Sequence, residues 1–408
     1  MTASIYVPGD PVLKTEPWPI YRQMRDEQPV MLGSSEVPGA EDYFAVSRYD
    51  DVAALLRDRG RVSSHVVNRT LFGHALDLPA LVNRDAPDHT RLRRVTNRAL
   101  GPRAVNELRG RIQELIDELI EDILSKPEVE FVNAFTTELP MRLVGGMLGI
   151  PLDRKNEITR WSEAFLEMTT IIGGGDPDLV PGCAEDFLSL VNFVDEQTSG
   201  RMGCPHRGDL LSDLVSREEA GELSHDEAVA LGWSFIAAGK DTTMYLLGGG
   251  LQMLLSDRAL AERLMAEPER TEDFIEEFLR FLSPTQAVFR RPKEDIELHG
   301  VVIPAGSLVH LVIGSANRDP RKFPDPDVFD IDRSNAAEHL AFSAGPHFCP
   351  GAVLSKIISG LSFRSLYPYL SRLSLDPARP PRMRVKSGAF GVDHMIVLVS
   401  QESPVLAI

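Results

Sequence analysis

Residues 339–356, HLAFSAGPHFCPGAVLSK, bring together residue types that suggest a chemical site. Cys349 is surrounded by Phe342, Gly345, His347, two prolines and Gly351. The pattern then turns helical (AVLSKIISGLSF), which puts Cys349 at a helix N-terminus. Orphan backbone N–H groups and the macrodipole there favour a thiolate over a thiol. A thiolate is a soft ligand able to take iron, and Gly345 permits a tight turn beneath a flat ligand. A lone buried Cys is ordinarily an inert core residue. A second cluster is AAGKDTT at 237–243, where Asp241 adjoins two hydroxyls in an apolar helical run. Each of those polar groups needs a partner or water, and Thr242 can simply bond back to the Ala238 carbonyl. Glu277 and Arg280 stand at i,i+3 in EEFLR and share a helix face, an arrangement that is usually a weak solvated pair. His89 and Arg93 stand at i,i+4 in APDHTRLRR. Cys204 and His206 look like a metal-ligand pair, but no further ligands lie nearby in sequence to complete a zinc site, so both read as loop residues.

The order and spacing of these motifs resemble the cytochrome P450 family from about residue 15 to 400. Phe342, Gly345, His347, Cys349 and Gly351 match its haem-ligand loop, with Ser343 standing where the family usually has Gly and with a somewhat unusual Pro346. The resemblance implies haem b, with Cys349 as the iron ligand. It implies an O2 groove beside Ala238 and Gly239, Asp241 as proton relay, and Thr242 holding the water that protonates the distal oxygen. Glu277 and Arg280, joined by Arg333, become a buried ionic network under the cysteine loop. His89, Arg93, Arg290 and His347 become the haem-propionate anchors, with Arg291 a rival to Arg290 separated from it by register alone.

The resemblance also implies a haem-thiolate monooxygenase that inserts one atom of O2 into a small organic substrate. The matching pocket segments are roughly Val66–Leu81, Ser234–Thr242, Thr285–Phe289 and Gly388–Val392, with 165–175 (FLEMTTIIGGG) as a lid. Ala237, Gln286, Ala287, Val288 and Phe390 are the expected substrate contacts. Their mostly apolar character predicts an apolar substrate; a carboxylate-bearing one comes second because of Arg69 and Arg84. Because the chain ends soon after the haem loop, electrons are expected from a separate ferredoxin and ferredoxin reductase. The expected docking face is the basic cluster Arg91, Arg94 and Arg98. The alternatives are a peroxide-driven peroxygenase, which does not need the acid–alcohol pair, and a non-catalytic haem-binding sensor.

The elements that must position these residues are mainly helical. Residues 105–125 carry an apolar stripe from Leu108 to Ile123, 226–256 form a long apolar run, and 271–282 open on Thr271 in N-cap position. Strand signals are fewer: Tyr43–Ser47, Ile296–Leu298, Leu308–Ile313 and Met395–Val399. The expected fold is mainly α with a minor β portion, a single cytochrome P450 domain over 1–408, with haem between the long central helix and the cysteine loop. The net charge of −17 argues against nucleic acid and anionic membrane partners. Three Cys make no disulfide framework and no apolar run has anchor length, so a cytoplasmic setting is expected.

Overall fold

The computed structural model describes residues 5–401 apart from 9, 36, 38, 67–77, 173–179 and 385–388. The helices that build the site are α1 (Trp18–Glu27), α2 (Tyr49–Arg57), α3 (Asp88–Ala99), α4 (Arg109–Leu124) and α5 (Glu138–Leu148). They are followed by α6 (Lys155–Ile172), α7 (Val180–Ser199), α8 (His225–Ser256), α9 (Thr271–Leu282) and α10 (Ala352–Leu366).

The long apolar run becomes α8, 32 residues starting at a capping box. Ser224 Oγ accepts from Glu227 N at 3.2 Å, and Ser224 N donates to the Glu227 carboxylate at 2.9 Å. Its residues are buried nearly all round, as befits a helix in the middle of the molecule. Gly249 and Gly250 let two neighbours press onto its backbone. A Cβ at Gly249 would lie 2.6 Å from the Phe278 ring of α9, and one at Gly250 2.3 Å from the Phe363 ring of α10. Helix α4 buries Ile112, Leu115, Ile116, Leu119, Ile120 and Ile123 as the stripe requires. The expected single helix over 105–125 is nevertheless broken, because a short helix ends at Glu107 and a new one starts at Arg109. Thr271 is the first residue inside α9 rather than its cap. Its hydroxyl donates to Pro268 O at 2.6 Å instead of holding a helix N–H.

The strands are β1 (Val30–Gly33), β2 (Tyr43–Val46), β3 (Val62–Ser63), β4 (Glu128–Glu130), β5 (Val288–Pro292) and β6 (Ile296–Leu298). Then come β7 (Val301–Ile303), β8 (Leu308–Leu311), β9 (Leu373–Leu375), β10 (Arg382–Met383), β11 (Val392–His394) and β12 (Ile396–Val399). The larger sheet has order β1-β2-β8-β5-β3, with β2 and β8 parallel and Tyr43 opposite Leu308. A second sheet, β4-β12-β9, carries a strand from late in the chain back to its first third. The architecture is mainly α with a minor β portion. Among the described residues, no helix is long and apolar enough to cross a membrane.

Candidate active site

A cavity of about 300 Å³ lies between the cysteine loop and α8. Phe342, His347, Cys349 and Gly351 line it from the loop, Ala238, Gly239 and Thr242 from α8, and Arg93 and Thr96 from α3. The loop is closed by Cys349 N donating to Phe342 O at 2.9 Å. Gly345 is required twice over. Its φ is +67°, and a Cβ there would sit 2.7 Å from Leu56 O and 2.9 Å from Arg57 Cα. Cys349 precedes α10 as expected, yet its thiol does not ionise easily in this environment. Burial pushes its pKa up, and this outweighs the hydrogen bonds from Gly351 and Ala352 N–H and the nearby Arg93 cation. The helix-end donors expected from the sequence are present at the sulfur, and burial opposes them.

Four groups gather at one edge of the cavity. The His89 and His347 rings lie 4.1 Å apart between centroids. Buried His89 Nε2 has no hydrogen-bond partner among the described residues. Burial and neighbouring cations hold His89 below its ordinary value and push His347 down to about 3. Burial pushes Arg290 down to about 10. Arg93 is also lowered by burial. Neither Arg93 nor Arg290 pairs with a carboxylate within ion-pair distance among the described residues; Arg290 donates to Phe289 O at 2.7 Å. The nearby acid, Asp85, is already occupied: it accepts from Ser63 Oγ at 2.6 Å and Ser64 N at 2.9 Å and pairs with Lys293 at 3.5 Å. The cluster thus has donors in excess and calls for a bound anion. Arg291 is spent elsewhere, on Glu41 (2.8 Å through Nη1) and Gly306 O (2.7 Å), which separates it from Arg290.

Beneath the loop, Glu277 and Arg280 are fully buried and paired bidentately, at 2.7 Å for each bond. Arg280 also donates to Asn317 O, Pro326 O and Val328 O at 2.9–3.2 Å. Glu277 accepts further from Asp330 N at 2.9 Å and Arg333 Nε at 3.2 Å. Every strong donor and acceptor in this network is used, and it pins the segment that leads into the cysteine loop.

On α8 the cavity-lining residues recur at helical spacing: Ser234 and Phe235, Ala238 and Gly239, Thr242 and Thr243. Thr242 Oγ1 donates back to Ala238 O at 3.1 Å, so the local bond read as an alternative is made, with the hydroxyl still on the cavity wall. Asp241 is fully buried and paired with Lys240, and neither of its oxygens has a hydrogen bond of good geometry.

The expected substrate contacts fall elsewhere. Gln286, Ala287, Val288 and Phe390 do not line this cavity, nor does Ala237, which is buried one position before Ala238. Gln286 is committed: its side chain accepts from Tyr21 OH at 2.9 Å and donates to Leu282 O and Ser283 O at 2.8 and 2.6 Å. Phe390 packs edge-on against Trp18, with centroids 5.4 Å apart. The wall includes Phe165 of α6, from the expected lid, and residues the sequence reading passed over, among them Val144 and Met147 of α5 and Trp233. Of the expected first loop and lid, 67–77 and 173–179 lie outside the described residues, as do Arg69 and His74. Arg91 does not belong to an open basic face, because it pairs with Glu227 in the first turn of α8. Cys204 and His206 make local loop bonds, the latter accepting from Gly208 N at 2.9 Å.

The cytochrome P450 family model matches residues 188–386. Two curated relatives match over most of their length. Cytochrome P450 monooxygenase PikC of Streptomyces venezuelae is 32% identical, over 88% of this chain and 85% of the relative. 6-Deoxyerythronolide B hydroxylase of Saccharopolyspora erythraea is 30% identical, over 87% and 89%. The chain belongs to the cytochrome P450 family. The solved structure of myxobacterial cytochrome P450 CYP267B1 with myristic acid superposes with a TM-score of 0.86 at 30% identity, covering 96% of this chain and 98% of that one. As a cytochrome P450, the protein is a haem b enzyme of the monooxygenase class, working with O2, an organic substrate and a redox partner. The site fits that cofactor. It offers one thiol at the cavity wall, space between the cysteine loop and α8, and a donor-rich edge suited to an anion.

Proposed function

We propose that this single-domain chain, residues 1–408, hydroxylates or otherwise oxygenates a small, mainly apolar organic compound, using electrons from a cytoplasmic ferredoxin and its reductase. The observation that carries this reading is Cys349 lining one cavity with Ala238, Gly239 and Thr242, beside the anion-seeking edge. Cys349 would ligate the iron, and the carboxylates of haem would be held by His89, Arg93, Arg290 and His347. Phe342 and Gly351 would lie against the ring. When bound, haem supplies an iron centre at which O2 is activated, with the thiolate donating electron density.

The rest is the work of the chain's own side chains. Ala238 and Gly239 present small surfaces to the cavity and would leave room for a bound cofactor beside α8. Thr242 keeps a hydroxyl on the wall that can hold a water or pass a proton, while Asp241, the next residue, stores one. Apolar walls from Val144, Leu148, Phe165 and Trp233 exclude water and orient an apolar substrate by shape. This wall favours a neutral apolar ligand over an acid. Arg94 and Arg98, exposed on α3, remain the basic residues for an acidic electron donor, alongside Phe348, which is 45% exposed next to Cys349. Reduction by ferredoxin that ignored both salt and Arg94→Glu would remove that docking face.

Cys349→Ser tests the whole reading. Cys183 is buried within hydrogen-bond distance (3.0 Å) of Glu167, and Cys204 is exposed. The variant is expected to lose the thiolate-type ferrous–CO spectrum even where haem is retained. A wild-type spectrum from it would end the assignment.

A further inference from the structure

Charged side chains stand in alternating sign behind Asp241, in a part of α8 that the site above does not use. Lys240 is fully buried, with its ammonium between two carboxylates: that of Asp241 and that of Glu163 on α6, at 3.3 Å. The other Glu163 oxygen receives Arg384 at 3.4 Å, and Arg384 also reaches Glu167, one turn further along α6, at 3.8 Å. The series runs acid, base, acid, base, acid. Exposure peaks at its middle member: the side chains of Asp241 and Lys240 are 0% and 1% exposed, that of Glu163 is 32% exposed, and those of Arg384 and Glu167 are 9% and 18% exposed.

Burying a lysine in a helix of this apolarity is costly and is offset only by close opposite charge. For fastening α6 to α8, an apolar pair of similar volume does as well or better. The arrangement does something an apolar pair cannot: it joins a buried carboxylate to a partly exposed one through one dissociable ammonium. Among the described residues, Lys240 is the ion-pair partner of Asp241, and Asp241 itself does not line the cavity. We propose that Lys240 and Glu163 are the solvent-side half of the proton path, with Lys240 also positioning the Asp241 carboxylate. This rests on Asp241 acting as the relay to Thr242.

The proton count closes. The Lys240 ammonium gives a proton to the Asp241 carboxylate and becomes an amine. Asp241 passes that proton on toward Thr242, protonated Glu163 restores the ammonium, and a proton from bulk solvent restores Glu163, so one proton moves inward per cycle and every carrier returns to its starting state. Arg384 acts as a positioning residue, holding Glu163 toward Lys240 without exchanging a proton.

The test uses the haem-loaded enzyme, reduced with dithionite, mixed with O2 and then with a saturating reduced surrogate ferredoxin that supplies the second electron, with the decay of the resulting spectrum timed in H2O and D2O. Asp241→Asn, Lys240→Met, Lys240→Arg and Glu163→Gln are compared, and hydrogen exchange of α6 amides is measured on the same samples. A relay is only as fast as its slowest step, so Lys240→Met and Glu163→Gln are expected to slow decay about tenfold or more and to enlarge the solvent isotope effect. Lys240→Arg keeps the charge and should hold α6 in place, but it cannot readily give up a proton and so should stay slow. Decay in Lys240→Met as fast as wild type, with Asp241→Asn slow, overturns this path and leaves the Asp241 relay standing. Wild-type decay in Asp241→Asn overturns the relay itself. Slow decay in Lys240→Met that Lys240→Arg restores, together with α6 exchange that rises and falls with it, makes Lys240 a structural tie and also overturns the proposal.

Discussion

Two buried ion clusters flank the cavity, and they are built on opposite principles. Beneath the cysteine loop, Glu277 and Arg280 are surrounded by hydrogen bonds: two from side chain to side chain, three from Arg280 to main-chain carbonyls, and two more donors onto Glu277. On α8, Asp241 has one ion-pair partner among the described residues, Lys240, and no hydrogen bond of good geometry to either oxygen there. A fully satisfied network resists rearrangement, because any movement strands a buried charge. A sparse one has fewer bonds to break when its carboxylate moves. The first kind suits a scaffold that must hold a ligand loop still, the second a group that must act in each turnover. Burial alone does not tell them apart, since all four side chains are fully buried.

The largest expected effect comes from breaking the satisfied cluster. Arg280→Ala leaves Glu277 buried with only Arg333 and Asp330 N–H as partners and strands three carbonyls, at a cost of about 3–5 kcal/mol. Urea denaturation of the haem-loaded protein should show that loss together with poor haem retention. A loss below about 1 kcal/mol would mean that the satisfied cluster is not the scaffold it resembles.

Thr242→Ala probes the sparse side. Its hydroxyl holds one intrahelical bond to Ala238 O, so stability should change by no more than about 0.5 kcal/mol. Reductant use should continue while its electrons go to hydrogen peroxide instead of product, as removal of a group acting in the chemical step requires. Unchanged product per reductant would show that Thr242 is only a wall residue.

The same contrast explains what could be read from sequence. The cysteine loop, the Glu277–Arg280 spacing and α8 were legible because each lies within one local segment, where period and loop chemistry speak directly. Arg290 and Arg291 were not separable, because what decides between them is Glu41, some 250 positions away in the chain. Gln286, an expected substrate contact, does not line the cavity for a related reason. Gln286 has the character of a polar handle, but its hydrogen-bonding capacity is taken up by Tyr21 from α1 and by two carbonyls just before it. Lys240 carried a signal that went unused: a lysine beside an aspartate in an apolar helix needs a distant carboxylate, and Glu163 provides it.

The smallest expected effect lies inside the loop itself, between two nearby positions with similar φ and different residues. Ser343 and Gly345 both have left-handed φ, +61° and +67°. At Gly345 any Cβ meets Leu56 and Arg57 main chain, so glycine is required by space as well as by φ. At Ser343 a side chain is accommodated, but it carries a left-handed strain of about 1 kcal/mol. Its Oγ is also buried without a hydrogen-bond partner, which adds a further cost of about 1 kcal/mol. Ser343→Gly removes both, against about 0.5–1 kcal/mol of extra chain entropy in the unfolded state. The net expectation is a gain of about 1 kcal/mol, read as a higher urea midpoint with an unchanged slope. If the haem-loaded protein instead loses stability while the haem-free protein gains it, the Ser343 hydroxyl has a partner when the site is filled, and the cysteine loop then shares the incomplete bonding of the α8 side.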